Sequence, residues 1–319
     1  MTEYQTNNST QSIAVVGVGG CGCSTLQRIY KEGPKEQVQL VAINTDQRSL
    51  RSDRYDNAVQ IGPSLTSGLG AGAKPDVGRS AAKESENDIL NALKSTEIIF
   101  LTAGMGGGTG TGASPEVARV AQSLAIPVIA IVTKPFNFEG QQKARYAEEG
   151  ILKLQQYCKA VIVLPNDRLA KVLGGEFRLV DAFDHSNQLL VDSLKALTTM
   201  LSGTGMINID MSDFKVLFNQ PGKAVMGVRK LDTSDTIEDA IADILYAPLL
   251  EEADLTKANG AIVHITARET IELGDYHQIG ESIQASLNPN AMVIVGLSLQ
   301  AELSHDFEIM IFATGIPYD

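Results

Sequence analysis

Short apolar runs alternate with amphipathic stretches through the first half of the chain. "SIAVVGV" at 12–18 predicts a strand, "CSTLQRIYKEG" a helix ending at Gly33, and "VQLVAINTD" a second strand. A glycine-rich loop, "GPSLTSGLGAGAKPDVG", leads into a helix expected over 78–94. Then come the strand "EIIFLTA", a helix over 114–125, the strand "IPVIAIVTKP", a helix over 139–157 and the strand "KAVIVLP". Strands this continuously apolar, separated by helices, are buried on both faces, as in a doubly wound α/β parallel sheet.

Beyond them, "LVDAFDHSNQLLVDSLKALTTML" at 179–201 predicts one long helix, with Leu190, Leu194, Leu197 and Leu201 on a single buried stripe. At 1.5 Å per residue it spans roughly 35 Å, enough to cross a domain. Helices follow at about 235–246, stopped by Pro248, and at about 275–287. They mingle with the strand-like runs "AIVHITA", "MVIVGLSL" and "EIMIFATG", which suggests a smaller α+β domain with a mixed sheet. The expected organisation is a polar, disordered arm at 1–11, a nucleotide-binding domain at 12–178 and a central helix at 179–202. A loop with its following helix at 203–222 and the α+β domain at 223–319 complete it.

Composition narrows the partners. The 319 residues are 44% hydrophobic and 20% charged, enough for two proper cores. A net charge of -12 argues against nucleic acid or an anionic membrane as the main partner. No run approaches the roughly 20 apolar residues of a membrane span, and the start has no signal-peptide pattern. Cys21, Cys23 and Cys158 give an odd count with no disulfide framework, and the four histidines are scattered, so neither disulfides nor a protein-held metal is expected. The chain reads as cytoplasmic.

Candidate chemistry lies in the glycine loops. "GVGGCGCS" matches G-x-G-x-x-G at Gly17, Gly19 and Gly22, and Asp46 ends the next strand, which resembles a dinucleotide fingerprint. A tight strand–helix turn with no ligand explains a lone match equally well. However, "GGGTGTG" at 106–112 is a second anion-binding stretch at another strand end, and "GLGAGAKP" a third. Backbone N–H groups of such loops, backed by a helix N-terminus, bind phosphate without a lysine. No G-x-x-x-x-G-K-[ST] occurs, so this is no P-loop. Several loops at one sheet edge suit a triphosphate better than a dinucleotide.

"GGGTGTG" is also the signature of the tubulin/FtsZ family. "GLGAGAKPDVGR" at 68–79, "TKPFNFEG" at 133–140, "PNDRL" at 165–169, "DAF" at 181–183 and "NIDMSD" at 208–213 resemble FtsZ motifs in FtsZ order. The resemblance runs from about residue 12 to 316 and implies that GTP or GDP binds across these loops. Gly19, Gly20 and Gly22 would face the phosphates, as would Gly70, Ala71 and Gly72, and Gly106, Gly107, Gly108, Thr109 and Gly110. A side chain at Gly108 is then expected to occupy the phosphate position. Glu139 resembles the ribose contact, Asn166 a guanine contact and Phe183 the ring against the base. The same likeness extends the nucleotide pocket to Cys21, Asn44, Gly104, Met105, Pro135, Lys143, Asn187 and Gln188.

"NIDMSDF" supplies Asn208, Asp210 and Asp213. Acidic residues at a helix start are ordinarily capping groups. The resemblance implies instead that this loop touches the γ-phosphate of GTP on the next subunit, where Asp210 and Asp213 orient the attacking water. Mg²⁺, held mainly through phosphates and water, offsets charge. A head-to-tail contact does not close, so filaments are expected, with the chain itself as partner. Bacterial-type cell division is the family's default role.

Four departures stand out. Gln188 occupies a place where the family usually has Asp; an amide has one acceptor oxygen where a carboxylate accepts from both N–H groups of guanine. The expectation is weaker guanine selectivity. Ser24 stands where Asn is common, Lys143 where an Arg approaches the nucleotide. No disordered linker or terminal peptide follows Gly315, which suggests a trimmed core or a tail-less paralogue. The second reading is a weakly hydrolysing structural or regulatory subunit that co-assembles with another FtsZ. The third is an NAD dehydrogenase.

Overall fold

The computed structural model describes residues 13–32, 38–51, 53–167, 178–202, 205–220, 222–231, 236–245, 254–301, 303 and 305–317. The arm at 1–11, the helix stop at Gly33 and the stop at Pro248 lie outside them.

Six parallel strands form the first part of the sheet: β1 (Ile13–Val18), β2 (Val38–Asn44), β3 (Asn57–Gln60), β4 (Ile98–Gly104), β5 (Val128–Lys134) and β6 (Ala160–Pro165). The rest comprises β7 (Lys223–Leu231), β8 (Gly260–Ala267), β9 (Met292–Leu299) and β10 (Phe307–Ile316). Strand order is β3-β2-β1-β4-β5-β6-β7-β10-β8-β9. The two parts meet through one parallel pair, Ile162 with Ala224. Beyond that seam β10 runs antiparallel to β7 and β8, while β9 is parallel to β8, so this end is mixed as expected.

The helices are α1 (Gly19–Glu32), α2 (Pro63–Thr66), α3 (Pro75–Glu84), α4 (Glu86–Leu93), α5 (Thr109–Ser123) and α6 (Gln141–Leu154), then α7 (Leu179–Ser202), α8 (Met211–Phe218), α9 (Ile237–Leu245) and α10 (Leu273–Ser286). On one face, α3 to α6 cover a core that includes Val16, Ile99, Val117 and Leu154. On the other, α1, α7 and α8 cover a core that continues past the seam, joining Leu26, Leu190, Leu194, Leu197 and Phe214 to Met226, Ile262 and Phe312. The leucine stripe of the long helix is therefore the common wall of both parts. A third cluster, with Ile241, Val263, Ile279 and Ile311, packs α9 and α10 on the outer face of the last strands.

Three boundaries differ from expectation. The helix expected over 78–94 is two, α3 and α4, broken at Ser85, whose hydroxyl accepts from the Gly62 N–H at 3.1 Å. Pro75, at the first helical turn, starts it early. The helix expected from 114 starts at Thr109, inside the signature glycines. Glycine reads locally as a breaker, but here it permits close backbone packing, and tertiary contact overrides propensity. Strands β3 and β7 were not expected: β3 has four residues, and the apolar positions of β7 are interrupted by Gly227 and Arg229.

Candidate active site in two separated halves

Because β1 to β6 are parallel, their C-terminal ends share one edge, where an open α/β sheet presents its loops to ligands. Gly19 and Gly20 leave β1 there, Gly104 to Gly107 leave β4, Pro135 follows β5, and Asn166 follows β6. Asn44 ends β2; its amide donates to the Cys23 Sγ at 3.8 Å and its oxygen accepts from the Asp46 N–H at 3.2 Å.

The glycines divide into two groups by what a side chain would meet. At Gly20, Gly72 and Gly107 a Cβ would enter open space, and at Gly70 it would come no closer than 3.9 Å to Asp46. These are the faces a ligand can approach. The others are filled by neighbouring protein atoms, most of them backbone. A Cβ on Gly19, whose φ is +75°, would lie 2.9 Å from the Gly110 nitrogen, and one on Gly110 2.4 Å from the Gly104 carbonyl O. At Gly22 it would meet the Thr102 carbonyl O at 2.6 Å. Helix–strand packing thus requires Gly22 to be small, whichever way its N–H points. The expectation that a side chain at Gly108 would enter the ligand space is corrected: a Cβ there would sit 2.8 Å from the Ala71 Cβ and 2.9 Å from the Lys74 nitrogen. A side chain at Gly108 would push on the neighbouring loop; one at Gly107 would enter the open face. Thr109 joins the loops differently, its hydroxyl 2.7 Å from that of Thr45.

A cavity of about 230 Å³ opens beside these loops. Cys21, Gly104, Met105, Gly106 and Gly107 line its floor, with Thr133 and Pro135 beside them. Glu139, Lys143, Asn166, Phe183 and Asn187 line the rest, together with Ser24 and Ser186. The hydroxyls of Thr133 and Ser186 were not anticipated, although Thr133 opens the "TKPFNFEG" stretch and Ser186 adjoins Asn187. Ser186 donates to the Asn166 Oδ1 at 2.6 Å, which fixes that amide at the cavity wall. Phe183 rests edge-on against Phe136, ring centroids 5.0 Å apart. Glu139 accepts from the Phe136 N–H at 3.0 Å and pairs with Lys143 Nζ at 2.9 Å. Burial pushes the Cys21 thiol up, against hydrogen bonds with Thr133 and Thr25, so it remains protonated near neutral pH.

Gln188 is absent from the cavity lining. Its amide donates to the Asp192 Oδ1 at 2.9 Å and to the Glu32 Oε2 at 3.4 Å. Asp46 is engaged as well: it caps a short helical turn and pairs with Arg48 at 2.9 Å, whose side-chain and backbone hydrogen bonds hold the carboxyl below its usual range. The ribose carboxylate of the dinucleotide alternative is therefore committed elsewhere.

Asn208, Asp210 and Asp213 are exposed, and their loop is tied by the Ile209 N–H to the Met200 carbonyl, near the end of α7 far from Asn187 of the cavity. Phe214 and Phe218 of α8 line a second cavity, about 760 Å³, with Ile98 and Val128, the first residues of β4 and β5. From Ile98 to Gly104 a strand at about 3.3 Å per residue covers roughly 20 Å. Within one chain the acidic loop does not reach the glycine loops. Its groups are locally satisfied: Asn208 exchanges hydrogen bonds with Gly205 at 2.9 and 2.8 Å, and Asp210 caps α8, accepting from the Ser212 N–H at 2.7 Å and its hydroxyl at 2.6 Å. Those Ser212 bonds hold the Asp210 carboxyl below its usual range. Asp213 follows in the first helical turn.

Residues 12–174 match the Tubulin/FtsZ family, GTPase domain, and residues 222–317 the FtsZ family, C-terminal domain. The chain belongs to the tubulin/FtsZ family. Membership brings a guanine-nucleotide-binding GTPase domain. Cell division protein FtsZ of Buchnera aphidicola subsp. Acyrthosiphon pisum (strain APS) is 38% identical to this FtsZ-family chain over 304 residues, which cover 95% of it and 79% of that protein. The Wigglesworthia glossinidia brevipalpis FtsZ is 38% identical over 307 residues, covering 96% and 80%. Among solved structures, the empty FtsZ dimer of M. jannaschii superposes with a TM-score of 0.90 at 34% identity, over 96% of this chain and 88% of that one. The GTPγS-bound CetZ2 protofilament of Haloferax volcanii, at 21% identity and TM-score 0.78 over 97% and 94%, shares the fold.

Proposed function

We propose that this chain binds GTP across the glycine edge and hydrolyses it when the acidic edge of another copy is seated there. The observation that carries this reading is the separation of the two halves. Open glycine faces and the cavity, which Asn187 of α7 lines, lie at one edge; Ile209, between Asn208 and Asp210, bonds the Met200 carbonyl thirteen residues further along that helix, roughly 20 Å at 1.5 Å per residue. Glycine N–H groups would take the phosphates, with the N-terminus of α5 behind them. Phe183, Asn166 and Asn187 would hold the base end and Glu139 the ribose. Asp210 and Asp213 from the neighbour would orient water toward the γ-phosphate, and Asn208 would keep their loop in shape.

The described residues contain no group of three His, Cys, Asp or Glu placed to hold a metal. Mg²⁺, which the family likeness implies, would be carried by the phosphates and water and would neutralise charge that develops on them. A head-to-tail contact repeated without closure builds filaments. By its likeness to cell division FtsZ proteins, we assign the chain to a cytoplasmic division filament, with 12–178 as its nucleotide unit and 223–319 as its α+β unit.

Phosphate release from GTP, measured per subunit over a range of protein concentrations with Mg²⁺ present, tests this. Near-zero release below a threshold and a steep rise above it is expected; a constant rate at all concentrations contradicts a shared site. Gln188 turned toward Glu32 and Asp192, and Lys143 paired with Glu139, favour a second reading, a weakly hydrolysing subunit that joins another FtsZ. That reading predicts a low constant rate that rises only when a second FtsZ is added.

A further inference from the structure

The helices that begin at two of the glycine loops cross more closely than side chains permit. A Cβ on Gly112 of α5 would lie 1.9 Å from the carbonyl O of Pro75, and one on Gly78 of α3 2.3 Å from that of Gly108. At the crossing backbone rests on backbone, flanked by small side chains such as Ala81, Ala82 and Ala113. A charged cluster further along links the two helices. Glu116 of α5 is only 6% exposed; its Oε1 accepts from Arg79 Nε of α3 at 2.9 Å and its Oε2 from Arg119 Nε at 2.9 Å. Arg119 also pairs with Glu86 of α4. Burial opposes ionisation of Glu116, yet the hydrogen bonds from Arg79 and Arg119 hold its carboxyl below the usual range.

The ion pair lies behind both loops: Arg79 comes four residues after Pro75, the first of α3, and Glu116 seven after Thr109, the first of α5, about 6 Å and about 10 Å along the helices at 1.5 Å per residue. Sliding one helix past the other by a turn, about 5.4 Å, would break it and strip the buried Oε1 of its partner, leaving only Arg119 of the same helix on Oε2.

We propose that Glu116 is a positioning residue: by clamping Arg79 of α3 it fixes the spacing between the 70–72 and 107–109 loops, and so the grip on the polyphosphate tail of the nucleotide. This rests on the nucleotide site proposed above. The clamp touches no part of the base end, where Asn166, Phe183 and Asn187 lie on other elements. Its loss therefore weakens ligands that carry a polyphosphate tail more than one with a single phosphate.

The test is calorimetric titration of GTP, GDP and GMP into the full chain and into Glu116→Gln, with thermal unfolding of both without ligand. GTP and GDP affinity should fall about tenfold and GMP affinity less than about twofold, since misplaced phosphate donors cost the ligands that use them. An equal loss for all three nucleotides, or no loss, overturns the clamp; a merely structural role would lower the unfolding temperature without separating GTP from GMP. Should Glu116→Gln fail to fold, Arg79→Gln removes the same contact from a half-exposed side chain and must give the same pattern. Arg79→Lys, which keeps the charge, should restore part of the lost GTP affinity. Wild-type protein that binds no GTP would overturn the nucleotide site itself, whereas wild-type binding with an unchanged variant overturns only the clamp.

Discussion

At the carboxyl edge of the parallel strands, Gly20, Gly72 and Gly107 face open space, while Gly19, Gly108 and Gly110 are wedged against neighbouring backbone. At the amino edge, Asn208 and Asp210 are bonded within their own loop and Asp213 stands exposed. On the proposed reading, the first edge is the surface that takes the ligand. The second is a finished surface loop, whose chemistry needs something brought to it. Donors held fixed before the reaction cost no reorganisation when charge develops; that suits the glycine edge. Acidic groups that must act on bound phosphate would instead repel it if they shared its pocket permanently, and here they do not.

Substitutions at each edge should therefore separate binding from turnover. The largest effect is expected from Gly107→Val, whose side chain enters the open face: GTP affinity should fall more than about a hundredfold as the phosphate-binding N–H groups are covered. Thermal stability should change little. Gly108→Val should differ, forcing the 70–74 loop outward at a cost of about 1–3 kcal/mol of stability as well as affinity. Titration calorimetry together with thermal unfolding distinguishes them, and an exchanged pattern would reverse the roles assigned to the two glycines.

Asp213→Ala probes the other edge. Turnover should drop about a hundredfold, in the range seen when one transition-state group is removed, while GTP affinity stays within about twofold and filaments persist longer. Equal losses of binding and turnover would show the acidic loop to be part of the pocket after all. The smallest effect is expected at Gln188. Replacing it with Asp puts a third carboxylate beside Glu32 and Asp192, costing about 1 kcal/mol for the lost amide bonds, and should raise preference for GTP over ATP. Competition binding gives the answer; wild-type discrimination already beyond a hundredfold would mean that Asn166, Ser186 and Asn187 suffice to read the base.

Much of this was legible in the chain. Apolar strands alternating with helices gave the doubly wound sheet, and the leucine stripe at 190, 194, 197 and 201 gave the long central helix. The three glycine loops were legible as a group, and the fold brings them together at one edge of the sheet. What stayed hidden depends on distant neighbours. Nothing local distinguishes Gly107 from Gly108, because Ala71 and Lys74 decide which is packed. Gln188 could be recognised as unusual, but only the fold shows that Glu32 and Asp192 draw it away. Arg79 and Glu116 lie 37 residues apart, with no periodicity to connect them.

Because β1 to β6 all run the same way, the molecule has a head and a tail. A row of copies joined glycine edge to acidic edge inherits that arrow. One terminal copy shows an uncovered glycine pocket, the other uncovered carboxylates. The two tips are then different chemical objects, and an agent shaped to stopper one finds nothing to hold at the other.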